Sequence, residues 1–305
     1  MNKKILIIQL RPGLGDLCMF LPRCHEIAKA NKDCKIYLLT KQNTKAEQVL
    51  KYDPYINEII FIDKDKKKMD MLSLFKFFKT EKFYKVYSYQ YGPKYLKYLF
   101  LSKISGVKTF FFYGVFKKKE DMVKKSISAN EKWLNIKIND FSGKIFYPRP
   151  INKYPKSVVV GIGASGDNKR WPVENFINII LELKKLKFDK FILAGGKGEK
   201  DILKQIITQL PSFNFISLED LNVEQCIVQI SKCEIFIGND TGFMHVSACL
   251  GLRTYCLYGD TPSNDSIYNS NIIPILPPGM DKVYHDDLAM DKITTERVLE
   301  FIKKN

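Results

Sequence analysis

Short apolar runs alternate with segments of helical periodicity along the whole of this chain. In the first half the strand-like runs fall at 3–10, 34–40, 58–63, 85–90 and 108–113, with helical patterns at 15–30, 44–52, 69–79 and 94–104. The second half repeats the rhythm, with strands at 157–163, 190–195, 214–218, 233–238 and 254–258. Its helices fall at 173–187, 198–210, 223–231 and 242–250, and a last one at 294–304 ends the chain. Strands alternating with helices predict parallel sheets wrapped by helices, an α/β class. Between the halves, Tyr147-Pro-Arg-Pro-Ile-Asn-Lys-Tyr-Pro155 holds three prolines in nine residues and reads as a linker. The expectation is two similar domains, 1–150 and 151–305, whose sheets face across a cleft, with the last helix able to pack back on the first domain.

Composition narrows the class. The 305 residues are 45% hydrophobic and 27% charged, the balance of a soluble globular protein large enough for two cores. The apolar run near the amino terminus reaches polar Gln9 and then Arg11-Pro12, too soon for a signal peptide or a membrane span. The seven cysteines form no C-x-x-C pair and several lie in apolar runs, which suggests buried thiols in a reducing cytoplasm rather than disulfides or zinc.

Charge adds an asymmetry. The net +16 is not evenly spread: residues 1–150 carry 31 Lys+Arg against 14 Asp+Glu, or +17, and residues 151–305 carry 18 against 19, or −1. Runs such as Lys64-Asp-Lys-Lys-Lys68 and Lys117-Lys-Lys119 contribute to the excess. A basic first domain suits an anionic partner: nucleic acid, anionic lipid or a phosphorylated glycan. Nucleic acid is the weaker reading, because only 6 of the 49 basic residues are arginine and no nucleic-acid-binding motif is present.

Three segments carry candidate chemistry. The most informative is Ile235-Phe-Ile-Gly-Asn-Asp-Thr-Gly-Phe-Met-His245, a strand that turns through a small polar corner into a helix stopped by Gly251. Asp240 or Thr241 can cap that helix, and the N–H groups of Gly242 and Phe243 suit a phosphate. His245, on the first turn, reads more simply as a packed or hydrogen-bonded residue than as a catalyst, and His25 and His285 have no evident partner. The second is Gly161-Ile-Gly-Ala-Ser-Gly-Asp-Asn-Lys-Arg-Trp-Pro172, where Lys169 and Arg170 stand beside a strand end; a solvated loop and a phosphate contact fit it equally. The third is Arg11-Pro-Gly-Leu-Gly-Asp16, after the first strand. Its Gly13 and Gly15 lack the third glycine of a dinucleotide fingerprint, since Cys18 stands there. Asp16 reads locally as a helix N-cap first and as a general base second.

Together these segments resemble glycosyltransferase family 9, the ADP-heptose:lipopolysaccharide heptosyltransferases. The resemblance rests on Leu14-Gly-Asp-Leu17 with Pro22, on Lys169-Arg-Trp-Pro172, and on Asp240-Thr-Gly-Phe-Met-His245 with Ala248 and Leu250-Gly251. It implies the GT-B fold of two Rossmann-like domains, acceptor on the first and nucleotide sugar on the second. It also implies inverting, metal-independent transfer, with heptose from ADP-heptose as the donor and no cofactor. Asp16 matches the family's proposed base. Lys169, Asp240, Thr241, Gly242, Phe243 and His245 fall in the nucleotide-sugar site, as does Glu224 at the ribose, while Arg11, Gly13 and Gly15 form the acceptor-side loop. The implied partner is an anionic lipid-linked glycan met in the cytoplasm at the inner membrane face, without nucleic acid. Two departures stand out: Gln9-Leu-Arg-Pro-Gly-Leu14 carries its arginine further from the strand, and Tyr258-Gly-Asp-Thr-Pro-Ser263 replaces Gly-Pro-Thr. Other classes consistent with the residues are a non-catalytic nucleotide-sugar or phosphoglycan binder and a nucleic-acid-binding protein using the basic half.

Overall fold

Four consecutive residues of the first strand, Ile5 to Ile8, are fully buried. A strand covered on both faces has no polar side to alternate, so such a run marks the middle of a parallel sheet. The computed structural model, which describes residues 3–64, 69–90, 92–114, 122–148, 152–263 and 269–304, divides into two compact units, Met1–Phe141 and Ser142–Asn305. In the first, β1 (Lys3–Ile8) pairs in parallel with β2 (Cys34–Thr40), Ile5 opposite Ile36, and with β4 (Lys85–Ser88), Ile5 opposite Lys85. With β3 (Glu58–Phe61) and β5 (Thr109–Phe112) the order is β3-β2-β1-β4-β5. The helices are α1 (Leu14–Lys29), α2 (Ala46–Val49), α3 (Met71–Glu81), α4 (Leu96–Ile104) and α5 (Met122–Leu134). Leu6, Ile8, Leu39 and Val86 form a core with Leu74 and Phe78 of α3 and with Tyr98 and Leu101 of α4.

The second unit holds β6 (Ser157–Gly161), β7 (Lys190–Ala194), β8 (Asn214–Ser217), β9 (Ile235–Asn239), β10 (Arg253–Leu257) and β11 (Ile272–Ile275). All pairs are parallel, in the order β11-β10-β9-β6-β7-β8. Numbered within the unit this is the dinucleotide-binding Rossmann order. Its helices are α6 (Val173–Lys185), α7 (Lys200–Gln209), α8 (Val223–Ser231), α9 (Gly242–Cys249) and α10 (Thr295–Lys304). Trp171, Phe176, Ile180, Phe191 and Ile237 sit in its core, where Val298 and Leu299 of α10 also lie. The expected α/β class of two parallel, helix-covered sheets is borne out.

Two elements escape the apolar pattern. Helix α5 buries Ser126 and Asn130 rather than a plain apolar stripe. Ser126 Oγ accepts from Arg23 Nε at 3.2 Å, and Asn130 donates to the Arg23 carbonyl at 2.8 Å while accepting from the Tyr89 hydroxyl at 2.5 Å. Polar residues that bury by bonding to α1 leave no 3.6-residue apolar signal. Strand β11 contains Pro274, which an edge strand tolerates because one side of its ladder is unpaired.

Residues 149–151 of the expected linker lie outside the described residues, as do the basic runs apart from Lys64. His25, without an evident partner in sequence, is buried against Asp53 at 2.7 Å, and Asp53 also accepts from the N–H groups of Tyr55 and Ile56. All seven cysteines are free thiols, and all but Cys34 are buried. Burial pushes Cys24 and Cys233 up to about 12 and Cys226 to about 11, which leaves them protonated and inert.

Candidate functional site

In a parallel sheet every strand-to-helix loop leaves at one edge, and the crevice opens where the strand order reverses. In the second unit that reversal lies between β6 and β9. The loops after these two strands are the two motifs singled out above.

Glycines set how closely the two strand ends approach. Gly238, at φ 155°, lies against Gly161: a Cβ there would stand 2.2 Å from the Gly161 carbonyl oxygen, and one on Gly161 would stand 2.2 Å from the Phe236 ring. Next to them, the fully buried Asn239 side chain ties the loops together. Its amide donates to the carbonyls of Ile162 at 3.2 Å and Gly163 at 3.0 Å, and its oxygen accepts from the Trp171 backbone N–H at 3.1 Å. Buried bonds of this kind contribute about 1 kcal/mol each, and more is lost when one partner is left unmatched.

The β6 loop is pinned at several further points. The Trp171 indole donates to the Ile293 carbonyl at 2.6 Å and meets Phe176 edge-on at 5.1 Å. Asn168 donates to the buried Asp260 carboxylate at 2.6 Å, and Asp260 also accepts from the Leu288 N–H at 3.0 Å. Arg170 pairs with Asp167 and reaches Glu199 at 3.4 Å, while Glu199 accepts from the Gly196 N–H at 2.8 Å. Lys169 is half-buried on the same turn; its backbone N–H donates to the Gly166 carbonyl at 3.1 Å, and its side chain makes no hydrogen bond or ion pair among the described residues. The loop is thus held rigidly with one cation uncommitted.

The corner itself departs from the capping expectation. Thr241 holds the N-cap position of α9 in an extended conformation, φ −145° and ψ 172°, and makes no capping bond. Its hydroxyl is buried without a hydrogen-bond partner. Asp240 faces inward instead, 3.6 Å from Nε2 of the buried His245, so His245 has the structural contact its sequence position suggests. The first-turn N–H groups, Gly242 and Phe243 among them, have no intrahelical partner by geometry, and the macrodipole adds positive potential there. Glu224 stands half-buried on the first turn of α8, at the same edge after β8, where Asn222 and Gln225 close a capping box.

At the corresponding edge of the first unit, α1 follows β1 through Gly13, φ 97°, which is the N-cap. Asp16 is therefore not the cap read from the local pattern. Its Oδ1 pairs with Arg11 Nε at 2.5 Å and Oδ2 lies over Gly13, 4.0 Å from where a Cβ would stand. Gly13 N–H reaches Asn43 Oδ1 at 3.4 Å, and Gly15 is the second residue of the helix. Among the described residues no group of three or more His, Cys, Asp or Glu is placed to hold a metal ion.

The residues missed from sequence are the fasteners Asn168, Asn239, Glu199 and Asp260. Only Glu199 carried a signal, the glycine-rich Gly195-Gly-Lys-Gly198 that precedes it.

A doubly wound sheet with an uncapped helix N-terminus at its switch point is the architecture of nucleotide-phosphate-binding enzymes. The model for glycosyltransferase family 9 (heptosyltransferase) matches residues 110–271, over half of the chain, and the chain belongs to that family and is a glycosyltransferase. It is 26% identical over 268 residues to lipooligosaccharide heptosyltransferase 2 of Campylobacter jejuni, covering 84% of this chain and 81% of that one. It is 25% identical over 169 residues to lipopolysaccharide heptosyltransferase 1 of Campylobacter coli, a match that spans about half of each chain, 50% and 48%. The solved structure of E. coli ADP-heptose LPS heptosyltransferase II superposes with a TM-score of 0.75 at 18% identity, over 99% of this chain and 98% of that one. That likeness bears out the GT-B fold class.

Proposed function

We propose that the protein transfers heptose from ADP-heptose, with inversion and without a metal, onto a lipopolysaccharide-core or related lipid-linked surface glycan. The observation that carries this reading is the uncommitted Lys169 in a rigid loop, at the same switch point as an uncapped helix N-terminus. That combination fits the diphosphate of a nucleotide sugar. Similarity to lipooligosaccharide heptosyltransferase 2 and to the solved ADP-heptose LPS heptosyltransferase II supports heptose and adenine in the donor, and the proposal gives Glu224 the ribose.

In this scheme Asp16 Oδ2 takes the proton of an acceptor hydroxyl while Arg11 holds Oδ1 and orients the carboxylate. The hydroxyl oxygen attacks the anomeric carbon from the side opposite the diphosphate, the bond to the departing oxygen breaks, and ADP leaves. Lys169 and the N–H groups of Gly242 and Phe243 meet the charge that develops on the leaving group. Asp240 and His245 support the corner from within. The acceptor lies on the first unit, against the Gly13–Asp16 loop, and the enzyme works at the cytoplasmic face of the membrane; among the described residues no helix is long and apolar enough to cross it. A calorimetric screen of ADP, UDP, GDP and CMP tests the donor side: ADP is expected to bind most tightly, and preference for another nucleotide would overturn the assignment.

A further inference from the structure

Helix α4 keeps three large apolar side chains in solvent. Leu96 is 37% exposed, Phe100 59% and Ile104 54%. They recur every four residues, so at 3.6 residues per turn they span about 80° of the helix, opposite the buried Tyr98, Leu101 and Ser102. Lys97 and Lys103 stand about 20° beyond either side of this stripe. An apolar stripe between two lysines is the cross-section of a helix that lies in a lipid interface.

A second feature adjoins it. After α4, Gly106 and Lys108 line an open cavity of about 720 Å³ at the amino ends of the first unit's strands, with Lys3, Lys4, Lys35 and Lys82. Its one carboxylate among the described residues, Glu81, is neutralised by Lys4 at 2.8 Å. Three ammonium groups, of Lys3, Lys85 and Lys108, gather within 4.7, 5.5 and 5.9 Å of the Tyr84 ring centre. Residues 82–119 contain no Asp or Glu at all. Clustered like charges repel unless an anion answers them, and this concentration borders the exposed stripe.

We propose that α4 and the lysine cavity beside it form a docking surface for an anionic lipid bilayer, with Leu96, Phe100 and Ile104 entering the headgroup layer and the lysines meeting lipid phosphates. This surface is independent of the donor and base assignments. The full chain is titrated with vesicles of phosphatidylcholine alone and of phosphatidylcholine with phosphatidylglycerol. Binding is expected only to the second. Lys97→Gln with Lys103→Gln lowers the affinity roughly 30-fold, at about fivefold per lysine. Phe100→Ser with Ile104→Ser lowers it about tenfold or more. Lys184→Gln with Lys185→Gln, on the exposed face of α6, leaves it unchanged. Phe100, Lys103 and Ile104 are exposed, and Lys97 is half-buried with its ammonium 5.3 Å from the Tyr98 ring centre, so the melting temperature moves by no more than about 2 °C. Transfer onto a lipid-free acceptor glycan is unaffected, which separates failure here from failure of the transferase reading. Equal binding to both vesicles, no binding to either, or variants that bind like the parent would overturn the proposal. So would stabilisation by inorganic phosphate without vesicle binding, which assigns the cavity to a soluble anion.

Discussion

Lys169→Ala removes a charge that no described protein group answers. The side chain is half-buried but unbonded, so its loss costs the fold about 0.5 kcal/mol or less. Binding is a different matter. A charge-assisted hydrogen bond to a phosphate contributes about 1.5–3 kcal/mol, which corresponds to ADP affinity falling about 10- to 150-fold. The neighbouring Arg170→Ala is the built-in contrast. Arg170 pairs with Asp167 and with Glu199, whose side chain is mostly buried; without Arg170 the Glu199 carboxylate keeps its Gly196 N–H bond but loses this countercharge, so the variant loses about 1–2 kcal/mol of stability. Isothermal calorimetry with ADP and a thermal melt on both variants separate the two roles. Unchanged ADP affinity in Lys169→Ala, or a melt that drops as far as that of Arg170→Ala, would refute the reasoning.

Other outcomes follow from the same geometry. Gly238→Ala combines a left-handed φ with a Cβ 2.2 Å from the Gly161 carbonyl oxygen and is expected to cost about 3 kcal/mol; a urea midpoint within experimental error of the parent would contradict that. In the native protein at pH 8 a thiol reagent labels Cys34 first. Cys24 and Cys233, pushed up to about 12 by burial, hold only about one part in 10⁴ as thiolate and react on unfolding, so prompt labelling of several sites by mass spectrometry would show the burial to be wrong.

What could be read from sequence, and what could not, divides by the range of the interaction. Central strands such as Ile5 to Ile8 announce themselves, because continuous burial needs continuous apolar residues. The corner after β9 was legible for a similar reason: Gly238 and Gly242 flank a turn whose geometry is local. Lys169 and Arg170, by contrast, look alike in the chain. Only the fold brings Glu199 from the β7 loop to one of them and leaves the other uncommitted. The same holds for His25, whose partner Asp53 is 28 residues away, and for α5, whose buried Ser126 and Asn130 read as surface residues until Arg23 is placed beside them. At Asp16 the local rule misled, since Gly13 takes the N-cap position and Arg11 takes the carboxylate.

The proposal turns on one proton. With ADP-heptose and a lipid-linked acceptor, the turnover of Asp16→Asn, measured beside its ADP dissociation constant, tests it most directly. In this variant kcat is expected to fall by roughly 10²–10⁴ with ADP affinity unchanged, because the amide keeps the shape of Asp16 but cannot accept the proton. Turnover within a few-fold of the parent would contradict it.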